Sequence, residues 1–337
     1  VKRLGPVVCG MAWLLVLQGC AGWQSALDPK GPAAGELAWL IWFFTGLCAV
    51  VWVLVMVALV APLMMRSPAR SEPLALDAGA EHRKVRLVVT AVGVTALILV
   101  GLTLLSFFAN RTLAAIGSDA ALTIRVTGHQ WWWEVRYEAA QPSRILTTAN
   151  EIHIPAGEPV RLVLTSTDVI HSFWVPSIAG KLDLIPGYVN VLDIKADKPG
   201  VYRGQCAEFC GAQHANMGTF IIAEPRPQFD GWLNDQLRAA AAPTSADAKA
   251  GADLFLKRAC VMCHRIGGTV AGGTVAPDLT HIASRQTLAA GTLTMSRGNL
   301  AAWIADPQGI KPGSHMPVVD LDGDELNAIV AYLEGLK

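Results

Sequence analysis

The chain is poor in charge. Only 16% of its 337 residues are Asp, Glu, Lys or Arg, against about 25% in an ordinary soluble domain. Its 27 basic residues are balanced by 27 acidic ones. There is thus no electrostatic footprint for a polyanion, and nucleic-acid binding is excluded. Seven cysteines in this length are too few for a scaffold stapled by disulfides. Apolar residues are abundant instead. A hydrophobic share of 52% and a mean hydropathy of +0.38 exclude disorder as the main state. They indicate a membrane protein with a substantial water-exposed part.

Lys2 and Arg3 precede an apolar run from Val7 to Leu17. This is the charged and apolar pattern of a secretory signal, and it falls short of the ~20 residues a membrane span needs. The run ends in Leu17-Gln18-Gly19-Cys20, which resembles a bacterial lipobox and implies cleavage before Cys20 and lipid on its sulfur. An ordinary signal (residues 1–19) with an incidental Cys20 is the alternative. Two uncharged runs follow, Leu37 to Met65 and Leu87 to Ala109. Residues 20–110 are therefore expected as a transmembrane hairpin, with helices over about 37–65 and 85–109. The loop between the runs holds Arg66, Arg70, Arg83, Lys84 and Arg86. The positive-inside rule places that loop in the cytoplasm and both chain ends in the periplasm.

From about residue 119 the pattern changes to short alternating runs: Leu122 to Val126, Glu151 to Ile154, Val160 to Thr165, Val189 to Ile194 and Thr219 to Ala223. Pro, Gly, Asn and Asp separate them, which predicts an all-β barrel or sandwich over 119–224. Within twelve residues near its end stand Cys206, Glu208, Cys210, His214 and Met217. Soft sulfur ligands select copper, or zinc when the thioether plays no part. His171, between two strand-like runs, supplies a second imidazole. Two Cys, two His and one Met exceed what one tetrahedral ion takes, and they suit two coppers sharing bridging thiolates. A Cys206–Cys210 disulfide and a structural zinc are the alternatives, and neither gives Met217 a role. His129 and His153 read as strand or loop residues rather than ligands, and Asp168 and Asp183 as loop acids or interface residues.

These residues, together with Gly128-His129-Gln130-Trp131-Trp132-Trp133 and Leu184-Ile185-Pro186-Gly187, resemble the CuA subunit (subunit II) of the haem–copper cytochrome c oxidases. The resemblance spans roughly residues 28–224. It implies a cupredoxin-like barrel whose binuclear copper is held by His171, Cys206, Cys210, His214 and Met217, with the Glu208 backbone carbonyl as a weak ligand. It also implies that the Glu208 carboxylate faces a Mg²⁺ shared with subunit I, and that Trp131 is the point of electron entry. Glu81 is the nearest match to an acid at the mouth of a proton path.

Residues 225–250 are rich in Ala and are expected as a linker, with a short helix over Asp230 to Arg238. Cys260-Val-Met-Cys263-His264 is a haem-attachment signature in which both thiols bond the haem covalently and His264 is the proximal ligand. It follows a predicted helix over Ala252 to Arg258. Met316, in Lys311-Pro-Gly-Ser-His315-Met316-Pro317, is favoured over Met295 as the distal ligand, because Pro and Gly fix an extended loop around it. Asp322 to Leu336 carries an apolar stripe of Leu326, Ile329, Val330 and Leu333. Residues 251–337 resemble a class I cytochrome c domain, all-α, with His281 and His315 at its surface or on the propionate side.

Neither centre offers an open position for substrate, so both are expected to carry electrons. The expected function is electron entry into a terminal cytochrome c oxidase of the bacterial inner membrane. A periplasmic cytochrome c or similar donor would feed haem c, then CuA, then subunit I, where oxygen is reduced with proton translocation. The fused cytochrome would act as a tethered donor. A CuA-containing nitric oxide reductase and a non-enzymatic electron shuttle are the alternatives.

Overall fold

The computed structural model describes residues 22–65, 78–117 and 119–337. The signal segment, Cys20, Arg66 and Arg70 lie outside the described residues. The chain forms two units, one of residues 36–115 and one made of the preceding segment together with residues 116–337.

The first unit is made of the helices α1 (Pro32–Met64), whose first residues belong to the other unit, and α2 (Ala78–Ala115). Both run beyond the uncharged stretches that predicted them. α2 continues through Asn110 and Arg111 and includes Glu81 in its first turn. Trp42, Leu54, Leu97 and Phe108 are exposed, as side chains that face lipid would be. Thr95 and Thr103 donate their hydroxyls to the carbonyls of Ala91 and Leu99, which satisfies both groups without water. The helices are long and apolar enough to cross a membrane.

The β region of the second unit has ten strands in two five-stranded sheets. One sheet takes the order β3-β2-β1-β5-β8, from β1 (Leu122–His129), β2 (Trp132–Tyr137), β3 (Leu146–Ala149), β5 (Val160–Ser166) and β8 (Asn190–Ile194). The other takes the order β4-β10-β9-β6-β7, from β4 (Glu151–Pro155), β6 (His171–Trp174), β7 (Leu182–Leu184), β9 (Gly200–Cys206) and β10 (Gly218–Glu224). β1 pairs parallel with β5, and β4 pairs parallel with β10. All other pairs are antiparallel. Ile124, Val126, Trp133, Val135, Leu162 and Leu164 bury one face of the first sheet. Ile152, Ile154, Phe173 and Ile221 are among the buried apolar residues of the second. Tyr137 ties the sheets together: its hydroxyl donates to the His153 carbonyl at 2.9 Å and accepts from the His153 N–H at 2.7 Å.

The segment expected as a linker is largely helical. α3 (Arg226–Gln236) starts four residues earlier than predicted, and α4 (Ala246–Lys257) begins well before Ala252. Its N-cap is Ser245, whose hydroxyl accepts from the Ala248 N–H. Beyond α4 come the one-turn α5 (Cys260–Cys263), the short pair β11 (Thr287–Leu288) and β12 (Leu293–Thr294), α6 (Arg297–Ala305), α7 (Pro307–Ile310) and α8 (Gly323–Glu334). Asp322 and Glu325 cap α8 reciprocally. α4 crosses α8 so closely that a Cβ on Gly251 would lie 1.9 Å from the Ala328 carbonyl oxygen. Phe255, Ile329, Val330 and Leu333 fill the core around that crossing.

The crossing makes a prediction. Gly251→Ala should destabilise the C-terminal domain by about 1–3 kcal/mol, the usual cost of overpacking. Gly298→Ala, at a helical glycine with open space around it, should not. Denaturant midpoints of the two variants decide it.

Candidate functional site

The sheets converge on one end of the β domain, where the soft donors meet. His171 opens β6, Cys206 closes β9, and the loop from Ala207 to Met217 joins β9 to β10. Gly128, near the end of β1, lies against the imidazole; a Cβ there would fall 2.7 Å from His171 Cδ2. Only a glycine lets the ring pack at that place.

His171, Cys206, Cys210 and Met217 are buried, and His214 is half-buried. Cys206 Sγ stands 3.7 Å from Cys210 Sγ and 3.9 Å from His171 Nδ1. Cys210 Sγ stands 3.6 Å from His214 Nδ1 and 3.9 Å from Met217 Sδ. The Glu208 carbonyl oxygen is 3.2 Å from Cys206 Sγ. The ligand atoms of His171, Cys206 and Cys210 all lie within 4.8 Å of one another. Both thiols are free, far beyond the ~2.05 Å of a disulfide. Cys206 is pulled down to about 3, first by its hydrogen bond with Cys210, and the same bond pushes Cys210 up. The pair therefore carries one negative charge readily and holds its last proton tightly, an arrangement that a cation would relieve. The donor set fits soft metal, copper above all.

Asp168, read from sequence as a loop acid or an interface residue, lies against this site. Its carboxylate accepts from Gln130 N–H at 2.6 Å and lies 2.8 Å from His171 Nε2. That contact leaves Nδ1 turned toward the thiolate, the outer-shell arrangement that orients a metal-binding histidine. Burial lowers the His171 pKa, but its bonds with Cys206 and Asp168 outweigh this and leave it raised. The three-residue spacing in Asp168-Val-Ile-His171 was the available signal. Asp183 makes no such contact with the site. The Glu208 carboxylate lies 3.6 Å from Lys181 Nζ. His129 stacks on Trp132, and His153 stacks on Trp232; neither joins the cluster.

Trp131 is buried beside the thiols. Its indole N–H donates to the Cys210 carbonyl at 2.9 Å, and Gln130 Nε2 donates to the same oxygen at 2.7 Å.

In the C-terminal domain, Cys260 and Cys263 lie one turn apart on α5, both half-buried. His264 Nδ1 is 2.8 Å from the Pro277 carbonyl, which leaves Nε2 for a metal. Burial lowers the pKa of His264 and so favours the neutral imidazole that binds iron. Gln308 shapes the Met316 loop: it donates to the carbonyls of Met316 and Ser314, each at 2.8 Å, and accepts from Gly313 N–H at 2.9 Å. Met295 instead packs against the domain core. Arg285 is buried, and its Nε has no partner among the described residues; a guanidinium so placed suits a haem propionate. These residues fit covalent haem. His281 is not at the surface, one of the two placements expected for it. It is buried, bonded to the carbonyls of Lys337 at 2.7 Å and Arg238 at 3.0 Å, and serves as a structural pin. His315 is exposed, with its ring 6.0 Å from that of Trp131.

The two domains are docked on each other rather than strung on a free tether. The Glu151 carboxylate accepts from Gln286 N–H at 3.0 Å and from the Thr287 N–H and hydroxyl at 2.8 Å. Gly218 N–H donates to Ala290 O at 2.8 Å. Gln213 Nε2 donates to Pro312 O at 2.8 Å. Lys311 reaches Trp131, and burial pulls its pKa down to about 7.

Comparison with known proteins matches this architecture. The family model for the periplasmic domain of cytochrome c oxidase subunit II matches residues 137–224, and that for cytochrome c matches residues 248–337. Cytochrome c oxidase subunit 2 of Alkalihalophilus pseudofirmus is 34% identical over 335 residues, 96% of this chain and 94% of that protein. The Bacillus subtilis protein of the same name is 33% identical over 231 residues, 65% and 64% of the two chains. The crystal structure of the periplasmic domain of cytochrome oxidase subunit II (CoxB) of Bradyrhizobium japonicum is 32% identical, covering 36% of this chain and 96% of that one, with a TM-score of 0.34. Fold and site define a membrane-anchored copper subunit with a fused cytochrome c. The chain belongs to the cytochrome c oxidase subunit II family.

If Asp168 orients His171, then Asp168→Asn should weaken copper binding roughly 10–100-fold in competition with a chelator. Asp183→Asn should leave it unchanged.

Proposed function

We propose that this chain is the electron-entry subunit of a terminal cytochrome c oxidase. It takes electrons from a periplasmic cytochrome c-type donor on its haem domain. It passes them through its copper domain to subunit I, where oxygen is reduced to water and protons are translocated. The observation that carries this reading is the gathering of His171, Cys206, Cys210, His214 and Met217 into one buried cluster beneath Trp131. Copper and haem, when bound, supply one-electron chemistry. The chain's residues supply the rest. Cys206, Cys210, His171, His214, Met217 and the Glu208 carbonyl would hold copper, the two thiolates being suited to a shared pair of ions. Asp168 fixes the His171 ring. Cys260, Cys263, His264 and Met316 would hold haem c, with Gln308 shaping the loop that carries Met316.

The Glu208 carboxylate would contribute to Mg²⁺ only together with residues of subunit I, with Lys181 giving way. Glu81, in the first turn of α2, remains the candidate for a proton-path acid. Both redox domains would stand in the periplasm of the inner membrane, with the hairpin docking on subunit I and other oxidase subunits. Lipid on Cys20 would add a second anchor.

Gas consumption by the complex purified through this chain, with reduced cytochrome c as donor, tests the reading. Rapid cyanide-sensitive oxygen uptake is expected. Nitric oxide consumption without oxygen uptake would make the chain part of a nitric oxide reductase instead. Neither activity, with no haem–copper subunit copurified, would leave a shuttle.

The ligand sets have their own tests. One unpaired electron shared over two copper nuclei should give a seven-line EPR hyperfine pattern, and a four-line pattern would mean one copper. Met316→Ala should abolish the Met-to-iron charge-transfer band and lower the haem potential, while Met295→Ala should do neither.

A further inference from the structure

Lys311 is 3% exposed, and its ammonium bridges two domains. It donates to the Trp131 carbonyl at 2.8 Å on the copper side and to the Ala289 carbonyl at 3.0 Å on its own side. Taking an ammonium out of water costs several kcal/mol unless hydrogen bonds replace its hydration. Two carbonyls replace only part of it. Packing alone would be served as well by an apolar side chain. What the lysine adds is direction: the Ala289 bond aims the ammonium from its own domain, and the bond to the Trp131 carbonyl is satisfied in only one relative placement of the domains. The residues after it line the same contact. Pro312 O accepts from Gln213, a Cβ on Gly313 would lie 3.9 Å from the Trp131 ring, and the His315 ring stands 6.0 Å from it. Trp131 itself is 9% exposed and bonds the Cys210 carbonyl. Loop, indole and thiol-bearing residue are therefore contiguous, and this chain's own loop lies against the indole.

We propose that Lys311 is a positioning residue that locks the Met316 loop onto Trp131, so that Trp131 serves the chain's own haem domain and external donors dock on the haem domain elsewhere. The step served moves one electron: the haem domain is oxidised by one electron as the copper domain is reduced by one. The inference rests on the electron-entry reading. The spectra of both centres are therefore recorded first, and missing copper or haem signals would sink that reading instead.

The experiment follows intramolecular electron transfer in the loaded complex after rapid photoreduction of haem c, in wild type, Lys311→Met and Lys311→Gln, with and without glycerol. Wild-type transfer should be independent of viscosity, because no domain search precedes it. Lys311→Met should slow transfer at least tenfold and make it viscosity-dependent, with both potentials and the copper EPR unchanged. Lys311→Gln, which keeps a donor, should recover part of the rate. Amide hydrogen exchange over residues 287–290 and 311–316 should rise in Lys311→Met, a readout that needs no turnover. An unchanged rate in Lys311→Met with both centres intact would overturn the proposal. Should that variant fail to load haem, a wild-type rate that falls with viscosity would overturn it as well.

Discussion

Two sulfur atoms held 3.7 Å apart in a buried pocket set the terms for the rest of the β domain. Two full negative charges at that separation repel by about 4 kcal/mol even at an effective dielectric of about 20. The pair therefore keeps a proton until a cation arrives, and the fold must hold it in place meanwhile. Cys206 is fixed by its strand, and its N–H is bonded to the Met217 carbonyl. Cys210 is fixed by its carbonyl, which Trp131 and Gln130 both grip. The imidazole of His171 is held between the backbone at Gly128 and the Asp168 carboxylate. Three segments distant in sequence are thus bound to one sulfur pair, and the two sheets keep them in register.

Where the chemistry was local, the sequence was legible. Cys206 to Met217 lies in a single loop, and Cys260-x-x-Cys263-His264 in a single turn. Ligand type and spacing alone therefore announce a soft metal and a haem. The strands with clean alternation, such as β5, were legible for the same reason. β9 was not, because Gly200 and Gly204 interrupt its apolar pattern; Gly204 is there because a Cβ would fall 2.5 Å from the Trp174 carbonyl. β2 was hidden in a run of three tryptophans whose alternation shows only in burial, with Trp133 buried and Trp132 half-exposed. Glu151 and Lys311 were illegible because their roles exist only in contacts made across 135 and 180 residues, whereas Asp168 left one local trace, its three-residue spacing from His171. No periodicity encodes such pairs.

The expected linker shows the same limit. An alanine-rich stretch reads as flexible because alanine has no side chain to declare a partner. α4 forms there because Ser245 caps it and Gly251 lets it close on α8. The helix is decided by its end and by its neighbour rather than by its composition.

Docking changes the physical problem that the fusion solves. A free tether offers an effective concentration that can reach the millimolar range, and each transfer still waits for a productive orientation. Here Glu151 gives its carboxylate to the backbone N–H groups of the haem domain, and Lys311 gives its ammonium to the carbonyl of Trp131. An anion on one domain and a cation on the other thus each bind the partner's backbone. Backbone groups sit at fixed places in a fold, so such contacts specify geometry more tightly than paired flexible side chains would. Separating the domains would leave Glu151 and Lys311 to recover their hydration while the Gln286 and Thr287 N–H groups lose charge-assisted bonds, which are the stronger kind. The fused domain is thereby held at one address on the copper domain, with its Lys311 loop against Trp131.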